Sequence, residues 1–214
     1  MITKILSGLR TQKKSRVEEK QLLEVISYIK RNKGLSIVDL GFNVGRIYKE
    51  IRKENTVSPY YAFEIQKDLV ELARKIEDPN LYIIHAAATS FDGEVKFFEP
   101  KSWSKNFKGG ATIHTGKNNL NDEAITVAAV NFGAWLAQVR PRSTKYFIKV
   151  DIEGAEYELL ESMVKEKQLD PVEAVAVEWH CTKLGAENEA MYTARKNLIK
   201  LALWENGIKY FEWF

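Results

Sequence analysis

The 214-residue chain is predicted to fold as an α/β protein with a mostly parallel central sheet and helices on both faces. Short apolar segments, typical of buried strands, alternate along it with longer segments whose apolar residues recur at helical spacing. A glycine-rich turn follows the first predicted strand, and acidic side chains end three of the later ones. Open parallel sheets bind ligands at the carboxyl ends of their strands, so these polar residues indicate where a site lies.

The first half of the chain begins with a helix. Apolar residues at helical spacing, with charges between them, predict a helix over residues 17–31 that stops at Gly34. The apolar run at 36–40 is typical of a buried strand, and a helix is predicted at 44–53 after the glycine-rich turn. The same alternation then predicts a strand, a helix and a strand, at residues 60–65, 67–77 and 81–87.

The second half continues the pattern around a polar loop at residues 102–121. Short strands are predicted at 94–98 and 124–130, and Asn131 is expected to cap a helix that ends at Val139. The remaining segments alternate strand, helix, strand, helix and strand, at residues 146–150, 155–165, 173–179, 188–205 and 208–214. We therefore expect an N-terminal helical arm over residues 1–34 and one domain over residues 35–214.

Composition narrows the class of function. The 32 basic and 29 acidic residues leave a net charge of +3, which argues against a nucleic-acid partner. No segment has the length and apolar character of a transmembrane helix, and the amino-terminal residues lack the apolar core of a signal peptide. The single cysteine, Cys181, excludes an internal disulfide framework and suggests a reducing compartment, so we expect a cytoplasmic protein.

The first candidate site is the turn after the first strand, where Gly41, Asn43 and Gly45 form the pattern G-x-N-x-G. Glycines there let the backbone turn tightly and approach a ligand closely at the start of a helix. Glu64 ends the second strand, where a carboxylate can accept hydrogen bonds from both hydroxyls of a ribose. The glycines alone would also suit a plain turn, but together with Glu64 they predict nucleoside binding.

The spacing of the glycines discriminates among nucleotides. Neither the dinucleotide pattern G-x-G-x-x-G nor a phosphate-binding G-x-x-x-x-G-K-[ST] loop is present. Asp39, inside the turn motif, would repel a pyrophosphate but suits a ligand that carries an ammonium group. S-adenosylmethionine has a ribose, a sulfonium and an amino-acid tail without a phosphate, so this chemistry favours it as the cofactor.

A second group of polar residues ends two consecutive later strands. Asp151 follows one strand on the same side as Lys149, and Glu178 and His180 alternate onto one side at the end of the next. Two carboxylates and an imidazole there can hold a divalent cation such as Mg²⁺, with Asp151 and Glu178 as candidate ligands, or deprotonate a hydroxyl. The nearby acids at 153 and 156 are interpreted as helix-start residues, which the helix dipole favours.

Three other features have simpler interpretations. His85, inside a predicted strand, is expected to be a structural histidine. His114 lies in the polar loop, where contact with a substrate is the alternative to a solvated side chain. The aromatic segment 210–214 is expected to be sheet core or the surface of a homodimer.

The chain resembles the FkbM-type methyltransferases. The resemblance rests on three segments in the same order and spacing, and it covers residues 36–180: IVDLGFNVG at 37–45, AFE at 62–64 and KVDIEGAE at 149–156. It implies a Rossmann-like methyltransferase fold that transfers a methyl group to an oxygen, often on a sugar or a secondary metabolite. Residues 109–112 resemble the variable substrate loop of that family, and Asn131 departs from it, since relatives usually have an acid there.

On this basis we expect residues 35–214 to form an S-adenosylmethionine-dependent methyltransferase domain. Glu64 should hold the ribose, Ile65 and Ala87 should flank the adenine, and the glycine turn should hold the methionine portion, with Asp39 and Asp151 near its ammonium. The residues expected to contact the cofactor are Asp39, Gly41, Asn43, Gly45, Glu64, Ile65, Ala87 and Asp151.

The expected reaction is O-methylation of a hydroxyl on a sugar, a glycan or a small metabolite. Asp151, Glu178 and His180 are the candidate catalytic residues, and each is a candidate base for the acceptor hydroxyl. Two alternatives stay open. The chain can be a non-catalytic nucleoside-binding or assembly module with this fold, or a nucleic-acid methyltransferase.

Overall fold

A computed structural model of the chain describes residues 2–101, 111–113, 120–139, 144–180 and 188–213, with side chains from residue 16 onward. Its helices are α1 (Ile2–Arg31), α2 (Arg46–Glu54), α3 (Lys67–Ala73), α4 (Phe132–Val139), α5 (Glu156–Lys165) and α6 (Glu189–Glu205). Its strands are β1 (Ser36–Leu40), β2 (Tyr60–Glu64), β3 (Leu81–His85), β4 (Ala87–Thr89), β5 (Gly93–Phe97), β6 (Ile125–Asn131), β7 (Tyr146–Val150), β8 (Val172–Glu178) and β9 (Lys209–Trp213).

Six of the strands form the central sheet, in the order β3-β2-β1-β7-β8-β9, and every pairing between them is parallel. This is the order of a Rossmann-like sheet, and it confirms the predicted α/β class. The chain runs outward from β1 through β2 to β3 and then returns to place β7 on the other side of β1. The order of strands therefore reverses between β1 and β7, where such sheets open a crevice for a ligand.

Helices cover both faces of this sheet, as predicted. Alternate residues of each strand point to opposite faces, so Ile37 packs with α1, α2 and α3 while Val38 and Leu40 pack with α4, α5 and α6. The helical residues buried on the first face include Val25, Ile29, Ile47, Ile51 and Ala73. Those buried on the second face include Phe132, Leu136, Leu160, Met163, Ile199 and Leu203.

The predicted strand at 81–87 is wrong in its second half. It divides into β3 and β4, because the chain turns at Ala86, whose amide donates to the carbonyl of Ile84 (3.1 Å). Ala87 therefore lies at the start of β4 rather than at the end of the third strand of the central sheet. β4 joins a separate three-stranded sheet in which it is parallel to β6, while β5 is antiparallel to β6.

The first helix packs against the last strand of the central sheet. α1 is longer than the helix predicted at 17–31, and its residues Val25 and Ile29 are buried in the core beneath β9. The rings of Tyr28 and Phe211 pack edge to face with centroids 5.2 Å apart, and Trp213 is buried. Residues 210–213 of the aromatic segment thus belong to the sheet and its core, as one of the two interpretations predicted, and Phe214 lies outside the described residues. The division into arm and domain stays a prediction.

Helix α4 begins as its sequence predicts. The side-chain oxygen of Asn131 accepts a hydrogen bond from the amide of Ala134 (3.1 Å), which is the bond of an N-terminal cap. A cap of this kind is typically worth about 1 kcal/mol. Among the helices that the structure describes, none is long and apolar enough to cross a membrane.

Candidate active site

A buried ion pair joins β1 and β7 at the point where the strand order reverses. Asp39 and Lys149 are direct partners in the sheet register, and the Lys149 Nζ donates to Asp39 Oδ1 at 2.9 Å. The Tyr60 hydroxyl donates to the other carboxylate oxygen of Asp39 at 2.7 Å. Burial opposes the charge of Lys149, but Asp39 and Asp151 outweigh it and raise the pKa of this ammonium above its usual value. Asp39 therefore neutralises a cation of the protein itself.

Gly41 allows the turn after β1 to touch the turn after β7. Its φ is +85°, and a Cβ at this position would lie 2.0 Å from the carbonyl oxygen of Asp151. The amide of Asp151 donates to the carbonyl of Leu40 (3.1 Å), and the Lys149 Nζ donates to the carbonyl of Gly41 (2.9 Å). The glycine is thus required by contact between two turns of the protein, whereas contact with a cofactor stays a prediction.

Two further residues of the glycine turn also have left-handed backbone conformations. Asn43 has a φ of 55° and Gly45 a φ of 70°, and a Cβ on Gly45 would lie 2.7 Å from the ring of Phe42. Asn43 is one of the few residue types that tolerate this conformation, because its short amide can bond locally. Its Oδ1 accepts from the amide of Val44 at 2.7 Å. The G-x-N-x-G spacing therefore has a direct backbone explanation.

Glu64 lies at the carboxyl end of β2, beside this turn, and is only 5% exposed. Its carboxylate accepts hydrogen bonds from the amides of Asn43 (2.7 Å), Ile65 (2.9 Å) and Gln66 (2.9 Å). Burial raises the pKa of Glu64 and outweighs these hydrogen bonds, which act in the opposite direction. A carboxylate offers about four acceptor positions, so the three amides leave room for a further donor.

The two residues predicted to flank an adenine lie in one apolar cluster. Ala87 is buried in it, and Ile65 packs against it. The other buried members come from β5, from β6 and from the segment between them, and they are Phe97, Val127 and Ala111. His85 is held by a contact between its Nε2 and the carbonyl of Ile65 (3.1 Å), as expected of a structural histidine.

Asp151, Glu178 and His180 lie together at the carboxyl ends of β7 and β8. These strands are parallel neighbours, so the predicted proximity of the three residues is confirmed. His180 Nε2 lies 3.4 Å from Glu178 Oε1 and 3.9 Å from Asp151 Oδ1. Asp151 also lies 3.3 Å from Lys149 Nζ, as the alternation along β7 predicted. One ligand atom from each of the three residues lies within 4.8 Å of the other two. Their catalytic role stays a prediction.

Glu156 begins helix α5, as its interpretation as a helix-start acid predicted, but that interpretation did not predict its contact with His180. It is fully buried and accepts hydrogen bonds from the amides of Ile152 (3.0 Å) and Gly154 (3.0 Å). Its Oε1 also lies 2.8 Å from Nδ1 of His180. Helix α5 begins at Glu156, because the chain first takes positive φ angles of 55° at Glu153 and 115° at Gly154. That turn directs the carboxylate inward, which the sequence pattern alone does not indicate.

His180 has an unusual electrostatic environment. It is 1% exposed, and its burial lowers its pKa, but the carboxylates of Glu156 and Glu178 outweigh this and raise the pKa to about 10. With this pKa the imidazole is protonated at neutral pH. A protonated ring cannot accept the proton of a hydroxyl, which weakens the case for His180 as a base.

The predicted substrate loop reaches this cluster through Thr112. The Thr112 hydroxyl donates to the carbonyl of Glu153 at 2.7 Å, and its backbone pairs with Phe98. Gly109, Gly110, His114 and Cys181 lie outside the described residues. The part of the loop that is described thus contacts the turn after β7.

Comparison with known proteins agrees with this arrangement. The family model described as the methyltransferase FkbM domain matches residues 38–203, which is more than half of the chain. No curated protein and no solved structure gives a significant match. The matched range includes the last three residues of β1 with the glycine turn, Glu64, and the acidic cluster at the ends of β7 and β8. The chain therefore belongs to the FkbM methyltransferase family.

Proposed function

We propose that the chain is an S-adenosylmethionine-dependent O-methyltransferase that acts on a hydroxyl of a sugar, a glycan or a small metabolite. S-adenosylmethionine is the usual methyl donor of methyltransferases. One observation carries the proposal, namely that a single edge of the sheet gathers both kinds of residue that the reaction needs. Glu64 and the glycine turn suit the donor, and the Asp151–Glu178 pair beside them suits an acceptor hydroxyl.

The donor is expected to lie across the carboxyl ends of β1 and β2. Glu64 would accept a hydrogen bond from a ribose hydroxyl at the acceptor position that the three amides leave, and the cluster that contains Ile65 and Ala87 would contact the adenine. Both oxygens of Asp39 are bonded to Lys149 and Tyr60. Asp151, whose side chain is 27% exposed, is therefore the better partner for the ammonium of the methionine portion.

The acceptor is expected on the side of β8. Transfer requires in-line attack of an oxygen on the sulfonium methyl. Because the donor already carries the leaving group, positioning of the two substrates contributes most to the rate. Glu178 is the best candidate to accept the hydroxyl proton, since its side chain is 27% exposed while that of His180 is 1% exposed.

The first test is calorimetric titration with S-adenosylhomocysteine, the product of the donor. We expect Glu64→Ala to weaken binding by at least about tenfold, because a charge-assisted hydrogen bond contributes about 1.5–3 kcal/mol. Asp78→Ala is the matched control. Like Glu64, Asp78 accepts three hydrogen bonds, from Tyr48, Arg52 and Asn80, but it precedes β3 at the opposite edge of the sheet.

Both variants lose stability, so only an effect on binding can separate a cofactor residue from a structural one. Equal affinities in wild type and Glu64→Ala would refute the assignment of Glu64. The absence of binding by folded wild-type protein would refute the proposed function.

Measurement of kcat tests the residue that we propose to act on the acceptor hydroxyl. With radiolabelled donor and a panel of sugars and hydroxylated metabolites, we expect Glu178→Gln to lower kcat about 10²–10⁴-fold, the usual effect of losing a general base. The affinity for S-adenosylhomocysteine should not change. A Glu178→Gln enzyme with wild-type kcat would show that Glu178 does not act on the acceptor.

The two alternative functions predict other outcomes. A non-catalytic module would bind S-adenosylhomocysteine and transfer no methyl group to any acceptor. A nucleic-acid methyltransferase would bind RNA or DNA in a filter-binding assay, and its affinity would fall steeply as the salt concentration rises.

Two further proposals concern the location and the oligomeric state of the protein. The single cysteine supports a cytoplasmic location, and light scattering would test for a homodimer.

A further inference from the structure

Three carboxylates surround one imidazole nitrogen at the ends of β7 and β8. His180 Nε2 lies 3.4 Å from Glu178, 3.7 Å from Glu153 and 3.9 Å from Asp151. The nitrogen is buried, and it makes no hydrogen bond to any residue that the structure describes. A buried polar atom without a hydrogen bond is costly, so this one requires an explanation.

The imidazole is held in a fixed orientation by the group behind it. Nδ1 lies 2.8 Å from Glu156 Oε1, and Glu156 is itself fixed by the amides of Ile152 and Gly154. Histidines that bind metals commonly donate their other N–H to a carboxylate, which fixes the tautomer and aims the free nitrogen at the ion. Glu156 and His180 have this arrangement, with Nε2 aimed into the acidic cluster.

The distances in the cluster fit a small cation. Two ligands bonded at about 2.1 Å to one ion lie about 3.0 Å apart at a right angle and about 3.4 Å apart at a tetrahedral angle. The separation of 3.4 Å between His180 and Glu178 is about 0.4 Å wider than the right-angle geometry of an octahedral ion such as Mn²⁺. Asp151, at 3.9 Å from the same nitrogen, needs a shift of about 0.9 Å to reach that geometry.

We propose that Asp151, Glu178 and His180 Nε2 bind a divalent metal ion of the Mn²⁺ class. Carboxylate oxygens suit Mg²⁺, Ca²⁺ and Mn²⁺, whereas an imidazole nitrogen favours the first-row transition metals, so the mixed set favours Mn²⁺. A dication also offsets the mutual repulsion of the carboxylates. The partial exposure of Asp151 and Glu178 leaves one side of the ion open.

The role of the ion rests on the proposed function. Bound to the acceptor hydroxyl, it would lower the pKa of that group, as metal ions do for bound water. The hydroxyl proton passes to solvent, the oxygen forms a bond to the methyl carbon, and the carbon–sulfur bond breaks. Neutral S-adenosylhomocysteine leaves. In this reaction Asp151 and Glu178 would hold the ion that activates the hydroxyl, and these roles would replace the ammonium-binding and general-base roles proposed for them above.

The test measures metal binding without any substrate. The full chain is treated with a chelator, dialysed, and titrated with Mn²⁺ while electron paramagnetic resonance measures the free ion. We expect one ion per chain, and at least tenfold weaker binding in Asp151→Asn and Glu178→Gln. Glu156→Gln should weaken binding about 10–100-fold through His180, the usual effect of a group that orients a ligand. Glu158→Gln, on the same helix but paired with Arg195, is the matched control and should bind as wild type does.

Circular dichroism establishes that each variant is folded, and Asp151→Asn and Glu178→Gln alter partly exposed side chains, so at least these two should fold. No stoichiometric binding by folded wild-type protein at millimolar Mn²⁺ would overturn the proposal and leave a protonated His180 as the cation of the cluster. Binding that is unchanged in both variants would overturn it too. Titration of the same samples with S-adenosylhomocysteine separates the two hypotheses, because donor binding without metal binding refutes the metal site alone.

Discussion

Substitution of Lys149 by Met tests the ion pair that joins β1 to β7. The Lys149 side chain is 4% exposed and that of Asp39 is 1% exposed, and their charged atoms are 2.9 Å apart. Met keeps the length of the side chain and removes the charge, so Asp39 would be left with Tyr60 as its remaining side-chain hydrogen-bond donor. Removing one partner of a buried pair typically costs about 3–5 kcal/mol, because the other charge stays buried without compensation.

For a chain of this size, that loss corresponds to a fall in Tm of about 6–20 °C. The assay is urea unfolding at pH 7, followed by circular dichroism, on Lys149→Met, Asp39→Asn and the double variant. Asn at position 39 removes the charge and still accepts from the Tyr60 hydroxyl. We therefore expect the double variant to be more stable than the sum of the single effects predicts, by at least about 1 kcal/mol.

Lys165→Met is the control, because Lys165 is 83% exposed and its removal should change the free energy of unfolding by less than about 0.5 kcal/mol. A Lys149→Met protein within about 1 kcal/mol of wild type would refute the reasoning, since a buried and compensated charge cannot lose its partner at so small a cost. Strict additivity in the double variant would equally show that the two charges do not interact.

Two further predictions concern backbone conformation and pH. Gly41→Ala should lower the free energy of unfolding by at least about 2 kcal/mol in thermal or urea melts, because of its positive φ and the contact with Asp151. Gly34→Ala, where a Cβ meets nothing within 4 Å, should be neutral, and equal effects of the two variants would contradict this explanation. Burial raises the pKa of Asp78, but its hydrogen bonds and Arg52 outweigh burial and lower the pKa below its usual value. The charged carboxylate therefore contributes fully to the free energy of unfolding above about pH 4, and this contribution is lost as pH falls through the pKa of the folded state. The difference in free energy of unfolding between wild type and Asp78→Asn should therefore become smaller in acid. A difference that becomes larger in acid would show that the pKa of Asp78 is raised and not lowered.

Proximity in the site could be predicted where a regular rule of strand geometry connects the residues. Asp151 and Glu178 end consecutive strands, and parallel neighbours bring their carboxyl ends to one edge of the sheet. The period of two along a strand places Lys149 beside Asp151 and Glu178 beside His180. These relations need only the strand direction and the spacing, which the apolar pattern of the sequence contains.

Other features could not be predicted, because local sequence does not encode them. An acid at the start of α5 satisfies the same pattern whether it faces solvent or, as Glu156 does, is fully buried against His180. The run at 81–87 contains nothing that marks the turn at Ala86, so the change from one sheet to another was missed. Asp39 was expected beside a ligand, and its actual cation comes from a residue more than one hundred positions later in the chain.

The sequence by itself determined the fold class, the two groups of polar residues and the family, because apolar periodicity and short motifs are local properties. Only the tertiary structure decided which charges pair, which glycine is required by a neighbouring turn, and which acid orients His180. These depend on the register of β1 against β7 and on the left-handed turn at Glu153, and both are set by the packing of the whole sheet. Contacts between distant segments form only when both segments are already in place, so no window of the sequence contains them.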